Sequence, residues 1–257
     1  MKKSRFSFWV TILVLIFLYL PIVILALSSF SESRFGILST DFTLKWYAKL
    51  WNDQKVWQAF RNSLVVAVSA TCASTLLGTC AAFALHRYKN RFQKIHHALI
   101  YTPLVIPDIL MGISMLLFFV AVNIQLGLFT VFIAHTTFCV SYVTMVMIGK
   151  LQNFDFTLVE AAQDLGANQW TVIRRILLPL LAPGLAAGAL LAFTLSIDDF
   201  VITYFVAGQG TTTLPIYIYS MIKFGSTPVI NALSVIILTV SFVFIYISQK
   251  LSKQEDV

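Results

Sequence analysis

Long stretches without charge divide the chain. Residues 6–31 lie between Arg5 and Glu32, residues 62–86 between Arg61 and Arg87, and residues 109–149 between Asp108 and Lys150. Residues 176–197 run from Arg175 to Asp198, and a last apolar run covers about 229–249. A helix needs about 20 apolar residues to cross a bilayer. The interval 109–149 is long enough for more than one span, and Asn123 to Gly127 supplies the turn inside it. Residues 109–122 alone are too short to span, so that helix must begin earlier, near His97, which puts Asp108 close to the bilayer centre. Pro103 and Pro107 fall in its first half and predict a kink. The pattern predicts six spanning helices at 8–29, 62–86, 97–122, 128–149, 181–206 and 229–250.

Composition points the same way. Of 257 residues, 58% are hydrophobic and 11% charged, against about 25% charged in a soluble domain. With a mean hydropathy of +0.84 the chain cannot cover a globular surface with polar side chains, which leaves an all-α polytopic membrane protein. The net charge of +7 would suggest nucleic acid in a soluble chain. Here the basic residues punctuate apolar segments instead of forming a patch, so no nucleic-acid partner is expected. Cys72, Cys80 and Cys139 all sit within apolar runs and read as packing residues, with no disulfide framework and no metal site. Phosphate loops, zinc-protease motifs and dinucleotide fingerprints are missing, so no cofactor is expected and the chain cannot itself hydrolyse ATP. Gly112-Ile113-Ser114 and His135 are too little for an intramembrane serine protease; His135 reads as a hydrogen-bonded packing residue between helices. His96 and His97 belong to a solvated basic face.

Lys and Arg set the orientation. Twelve collect on the side of Lys2, Arg87, Lys150, Arg174 and Lys250, and six on the side of Arg34, Lys45, Arg61 and Lys223. The richer side is cytoplasmic, so both termini are inside. The first apolar segment is too long for a signal-peptide core and is expected to stay as an uncleaved helix. Residues 31–60 form a long outer connection with Trp46, Tyr47, Trp51 and Trp57, and residues 151–180 a long inner one.

The inner connection reads EAAQDLGANQWTVIRRILLP from Glu160. Good helix formers precede Gly166, which suits a left-handed cap, and a second helix is expected to run to Leu178 and stop at Pro179. A short exposed helical hairpin on the cytoplasmic face suits a soluble docking partner. The spacing E-A-A-x3-G-x9-I-x-L-P resembles the EAA loop of type I ABC importer permeases at every fixed position. That resemblance implies six spans and a coupling helix seated in a cleft of an ATP-binding subunit. Glu160, Ala161, Ala162 and Gly166 then form the docking turn, and Ile176, Leu178 and Pro179 the return to the membrane. It also implies a second permease subunit and a periplasmic binding protein. The runs SESRFG, TLKWY, TPLVIPDILMGIS, FTLSIDDFVIT and LPIYIYSMIKFG are similar to polyamine permeases of that family, which implies spermidine or putrescine as substrate. A permease for another small organic cation is the alternative. A carrier working alone would not need a docking hairpin.

Three acids fall within the expected spans: Asp108, Asp198 and Asp199. A carboxylate at a helix centre costs roughly 2.5–3.5 kcal/mol on insertion scales, so such acids are functional by default. No basic residue in these spans is an obvious partner. A polycation would supply the missing charge; a partner subunit or a hydrated cavity wall would serve as well. On a continuous helix Ser196, Asp199 and Thr203 make one polar stripe and Asp198 points about 100° away, so one carboxylate faces the path and the other stands at its margin. An ammonium group over an aromatic face gains about 0.5–2 kcal/mol. Trp46 and Tyr47 are candidates at the entrance, and Tyr19 and Tyr88 further in; packing or an interfacial belt would also explain the two tyrosines.

Overall fold

The computed structural model describes residues 5–32, 42–87, 91–152, 154–225 and 228–252. The described residues are helical apart from turns, loops and an isolated bridge between Ser31 and Phe42. The chain divides into two compact units, one of residues 1–57 and 217–257, the other of residues 58–216.

In the first unit, α1 (Arg5–Ser28) and α2 (Lys45–Trp51) both pack against α12 (Pro228–Ser252). The most apolar stretch of α1 has no buried side chain, as suits a helix whose solvent is lipid. The Tyr217 hydroxyl donates to Asp53 Oδ2 at 2.9 Å. Burial and that carboxylate push the Tyr217 pKa up to about 12, so it stays a neutral donor.

The second unit holds most of α3 (Gln54–Arg87), then α4 (Gln93–Val105), α5 (Asp108–Ala121), α6 (Leu128–Gln152), α7 (Thr157–Asp164), α8 (Gln169–Val172), α9 (Leu178–Asp198) and α10 (Val201–Val206), and it ends within α11 (Leu214–Lys223). Its centre is α6, where Val131, Ala134, Cys139, Val143 and Met147 are fully buried. Small residues let neighbours approach it closely. A methyl group on Gly78 of α3 would lie 2.8 Å from Val143 Cβ, and one on Gly184 of α9 would lie 2.9 Å from Lys150 Cγ. Leu181, Gly184, Gly188, Ala192 and Ser196 form the buried stripe of α9. We expect Gly78→Ala to cost roughly 1–3 kcal/mol by overpacking against α6, read as a lowered melting midpoint of the purified protein in detergent.

Among the described residues, four helical runs are long and apolar enough to cross a membrane: α1, α3, α6 and the run Gln169–Asp198. The pair α4 and α5 makes a fifth if it counts as one span, and α12 is apolar over Pro228–Val240. The segment expected as one helix over 97–122 is bent by 113° between α4 and α5. The cause is local. Pro107 cannot donate to the helix, and it forces Ile106 into extended backbone at φ −71° and ψ 132°. Asp108 therefore opens α5 instead of sitting mid-helix.

The segment expected over 181–206 is also broken. It leaves the helix at Asp199 (φ −67°, ψ 123°) and restarts at Val201. Pro179 does not end a helix either. The chain passes from α8 through a π-helical turn, Ile173–Leu177, straight into α9. In that wide turn Leu178 N–H donates to Ile173 O, five residues back, and Pro179 falls in the first turn of α9, where its missing N–H is tolerated.

Candidate substrate path and coupling loop

The third and fifth segments each break next to an acid, and the helices that follow the two breaks pack together. Helices α5 and α10 pack together, and a methyl group on Gly112 would lie 3.3 Å from the Cα of Ile202 and 2.7 Å from the Phe205 ring. Asp108 lies one turn before Gly112, and Asp198 four residues before Ile202. Asp108 is the first residue of α5 and Asp198 the last of α9, and both are exposed. A helix N-terminus carries a partial positive charge, which lowers the cost of a carboxylate there.

Asp199 differs from its neighbour. Its side chain is only 10% exposed, and Oδ2 accepts hydrogen bonds from the Thr203 amide at 2.8 Å and the Thr203 hydroxyl at 2.7 Å. Oδ1 accepts from the Ile202 amide at 3.3 Å, so the carboxylate caps α10. His135 Nε2 of α6 lies 3.2 Å from Oδ2. The expectation that none of the three acids has a basic partner within the spans therefore fails for Asp199: the partner is on another helix and has no sequence signature. Ser196 and Thr203 converge with Asp199 as the stripe predicts, but they do so around His135 and across a break.

The aromatic candidates are placed less openly. Trp46 is 8% exposed; its indole N–H donates to Ser31 O at 2.8 Å, and Lys45 Nζ stands 5.6 Å from its ring centre. In this conformation it offers no open face to an ammonium group. Tyr47 is hydrogen-bonded to Ser29 Oγ at 2.7 Å and stacks on Phe30. Tyr19 is exposed on the apolar surface of α1. Tyr88 lies outside the described residues.

The inner loop folds as the predicted helical hairpin. At the end of α7, Ala167 N–H donates to Ala162 O and Gly166 N–H to Gln163 O, with Gly166 at φ +83°. This is the paired closure that a left-handed glycine permits. The side chain of Asn168 then accepts from the Thr171 amide at 2.8 Å and starts α8. Glu160 and Ala161 are exposed and Ala162 is half-buried. Leu165 is 90% exposed and Trp170 68%, two large apolar side chains beside the turn that the spacing argument did not single out. Ile176 lies in the π turn, half-buried, while Leu178 and Pro179 are exposed at the start of α9.

Long apolar helices, some broken beside acids, define a polytopic helical membrane protein. The family described as the inner membrane component of binding-protein-dependent transport systems matches residues 74–254, and the chain belongs to it. It is 42% identical over 239 residues to the spermidine/putrescine transport system permease protein PotC of Escherichia coli K12, covering 93% of this chain and 90% of that one. It is 38% identical to the putrescine transport system permease protein PotI of the same strain, covering 98% and 94%. A solved bacterial ABC transporter involved in import of the acidic polysaccharide alginate shares the fold at a TM-score of 0.73 and 18% identity, covering 97% of this chain and 98% of that one.

Proposed function

We propose that the chain is the polyamine-conducting permease subunit of an ATP-driven importer, passing spermidine or putrescine through the bacterial cytoplasmic membrane. The carrying observation is the pair of exposed carboxylates, Asp108 and Asp198, each at a helix break in an otherwise apolar segment. A cation that has shed water needs such groups, and several weak sites allow both entry and release. The permeases named for spermidine and putrescine, with which this chain aligns over nearly its whole length, support the same reading.

The proposed assembly adds an ATP-binding subunit under Glu160–Gly166, a second permease subunit and a periplasmic polyamine-binding protein. Six helices cannot enclose a path with two gates, so the permeases pair, as a heterodimer. ATP hydrolysis lies on the separate subunit. Uptake of labelled spermidine and putrescine by cells expressing the complete complex tests the reading; no uptake of either, at normal expression of every subunit, overturns it.

Both termini are proposed to be cytoplasmic, from the twelve-to-six distribution of Lys and Arg. Lys49 in the outer loop and Gln163 in the inner one are both exposed. In intact cells a membrane-impermeant thiol reagent should label Lys49→Cys and spare Gln163→Cys, in a background without native cysteines. The reverse pattern would invert the topology.

A further inference from the structure

The imidazole of His135 touches both sides of the break in the fifth segment. Nδ1 lies 2.7 Å from Ser196 Oγ on α9. Nε2 lies 2.8 Å from Thr203 Oγ1 on α10 and 3.2 Å from Asp199 Oδ2 between the two helices. His135 is 1% exposed, Ser196 4% and Thr203 fully buried. With the proton on Nε2, the ring donates toward Thr203 and Asp199 and accepts the Ser196 hydroxyl proton. Every polar atom of the cluster then has a partner, as burial requires. Helices α9 and α10 are joined by Asp199 and Phe200, where the backbone ladder is interrupted. The angle at such a joint is held by side chains, and here one ring on the central helix grips both arms.

We propose that His135 is a positioning residue for the substrate path. By stapling α9 to α10 it fixes the direction in which Asp198, at the end of α9, projects. By engaging Asp199 it also separates two adjacent acids into one that holds the joint and one that is left to the substrate. The inference rests on the reading of Asp198 as a path carboxylate, and the two separate experimentally.

The test is spermidine uptake kinetics with the complete transporter, comparing wild type, His135→Leu, His135→Gln, Asp198→Asn and the double variant His135→Leu/Asp198→Asn. We expect His135→Leu to raise KM about tenfold with a much smaller change in kcat, since what is lost is substrate affinity. His135→Gln keeps a donor and an acceptor at similar reach and should recover KM to within about threefold. Because His135 acts through Asp198, the double variant should be no worse than Asp198→Asn alone. Should His135→Leu fail to reach the membrane, Ser196→Ala removes one leg of the staple and should raise KM about threefold, again with no added effect in the Asp198→Asn background. Fully additive effects, or wild-type KM in both His135→Leu and Ser196→Ala, overturn this inference and leave the path reading standing. Wild-type KM in Asp198→Asn overturns the reading of Asp198 as a path carboxylate and this inference with it.

Discussion

Asparagine at Asp108 or at Asp198 should lower polyamine uptake at least about tenfold, equivalent to about 1.4 kcal/mol in a barrier. Asparagine keeps the shape and hydrogen-bonding capacity of the side chain and removes only its charge. Spermidine carries about three positive charges at neutral pH, since its amines titrate far above 7. Each ammonium group entering the path sheds hydration that a fixed carboxylate can replace. Neither Asp108 nor Asp198 is buried, so neither is held as a structural acid by its surroundings. Asp199→Asn is a different experiment. Its carboxylate accepts from two backbone amides and the Thr203 hydroxyl and faces His135, and charge-assisted bonds of this kind are worth about 1.5–3 kcal/mol each. That variant should chiefly lower the amount of folded protein in the membrane. Uptake normalised to immunoblotted protein separates the two outcomes. Wild-type uptake by both Asp108→Asn and Asp198→Asn would remove the physical basis of the polyamine reading.

Much of the fold is legible in the sequence because lipid imposes a simple rule. Backbone groups must be satisfied within each span, so apolar length alone marks α1, α3 and α6. The interruptions are harder to read. Pro103 and Pro107 announce a bend, but residue types alone do not give its size, 113°. The break at Asp199 has no proline or glycine to announce it. It is held by His135, which bonds to residues 61 and 68 positions away. Pro179 misleads in the opposite sense. It looks like a terminator, but a π turn shifts the register ahead of it and the helix continues.

The same distinction governs the site. Residue type and burial cost are enough to single out Asp108, Asp198 and Asp199. Assigning roles to the adjacent pair requires tertiary contacts, and these give Asp199 to the joint and leave Asp198 exposed. Trp46 shows the converse. An aromatic residue in an outer loop is compatible with an open binding face or with a small local core, and only the bond from its indole to Ser31 O distinguishes them.

Gly166→Val should leave the spans inserted and abolish transport. Gly166 adopts φ +83°, where a side chain costs about 1–2 kcal/mol and a β-branched one more. Nothing lies within 4 Å of a methyl group placed there, so the cost is conformational and not a clash. A valine relieves it by moving out of the left-handed region. That breaks the bonds from Ala167 to Ala162 and from Gly166 to Gln163, which close the end of α7, and displaces the Asn168 cap of α8. The angle between the two short helices then changes, and with it the relative placement of exposed Glu160, Leu165 and Trp170. Since Gly166 lies ahead of the apolar run Gln169–Asp198 and outside every candidate span, expression should be near normal while uptake and substrate-stimulated ATPase activity of the complex fall to background. Gly166→Asn provides the control, because asparagine tolerates the left-handed region and should retain a substantial part of both activities. Unchanged transport by Gly166→Val at normal expression would show that the turn does not carry coupling. Equal loss in the Val and Asn variants would place the requirement in the absence of any side chain at the partner surface, rather than in the backbone.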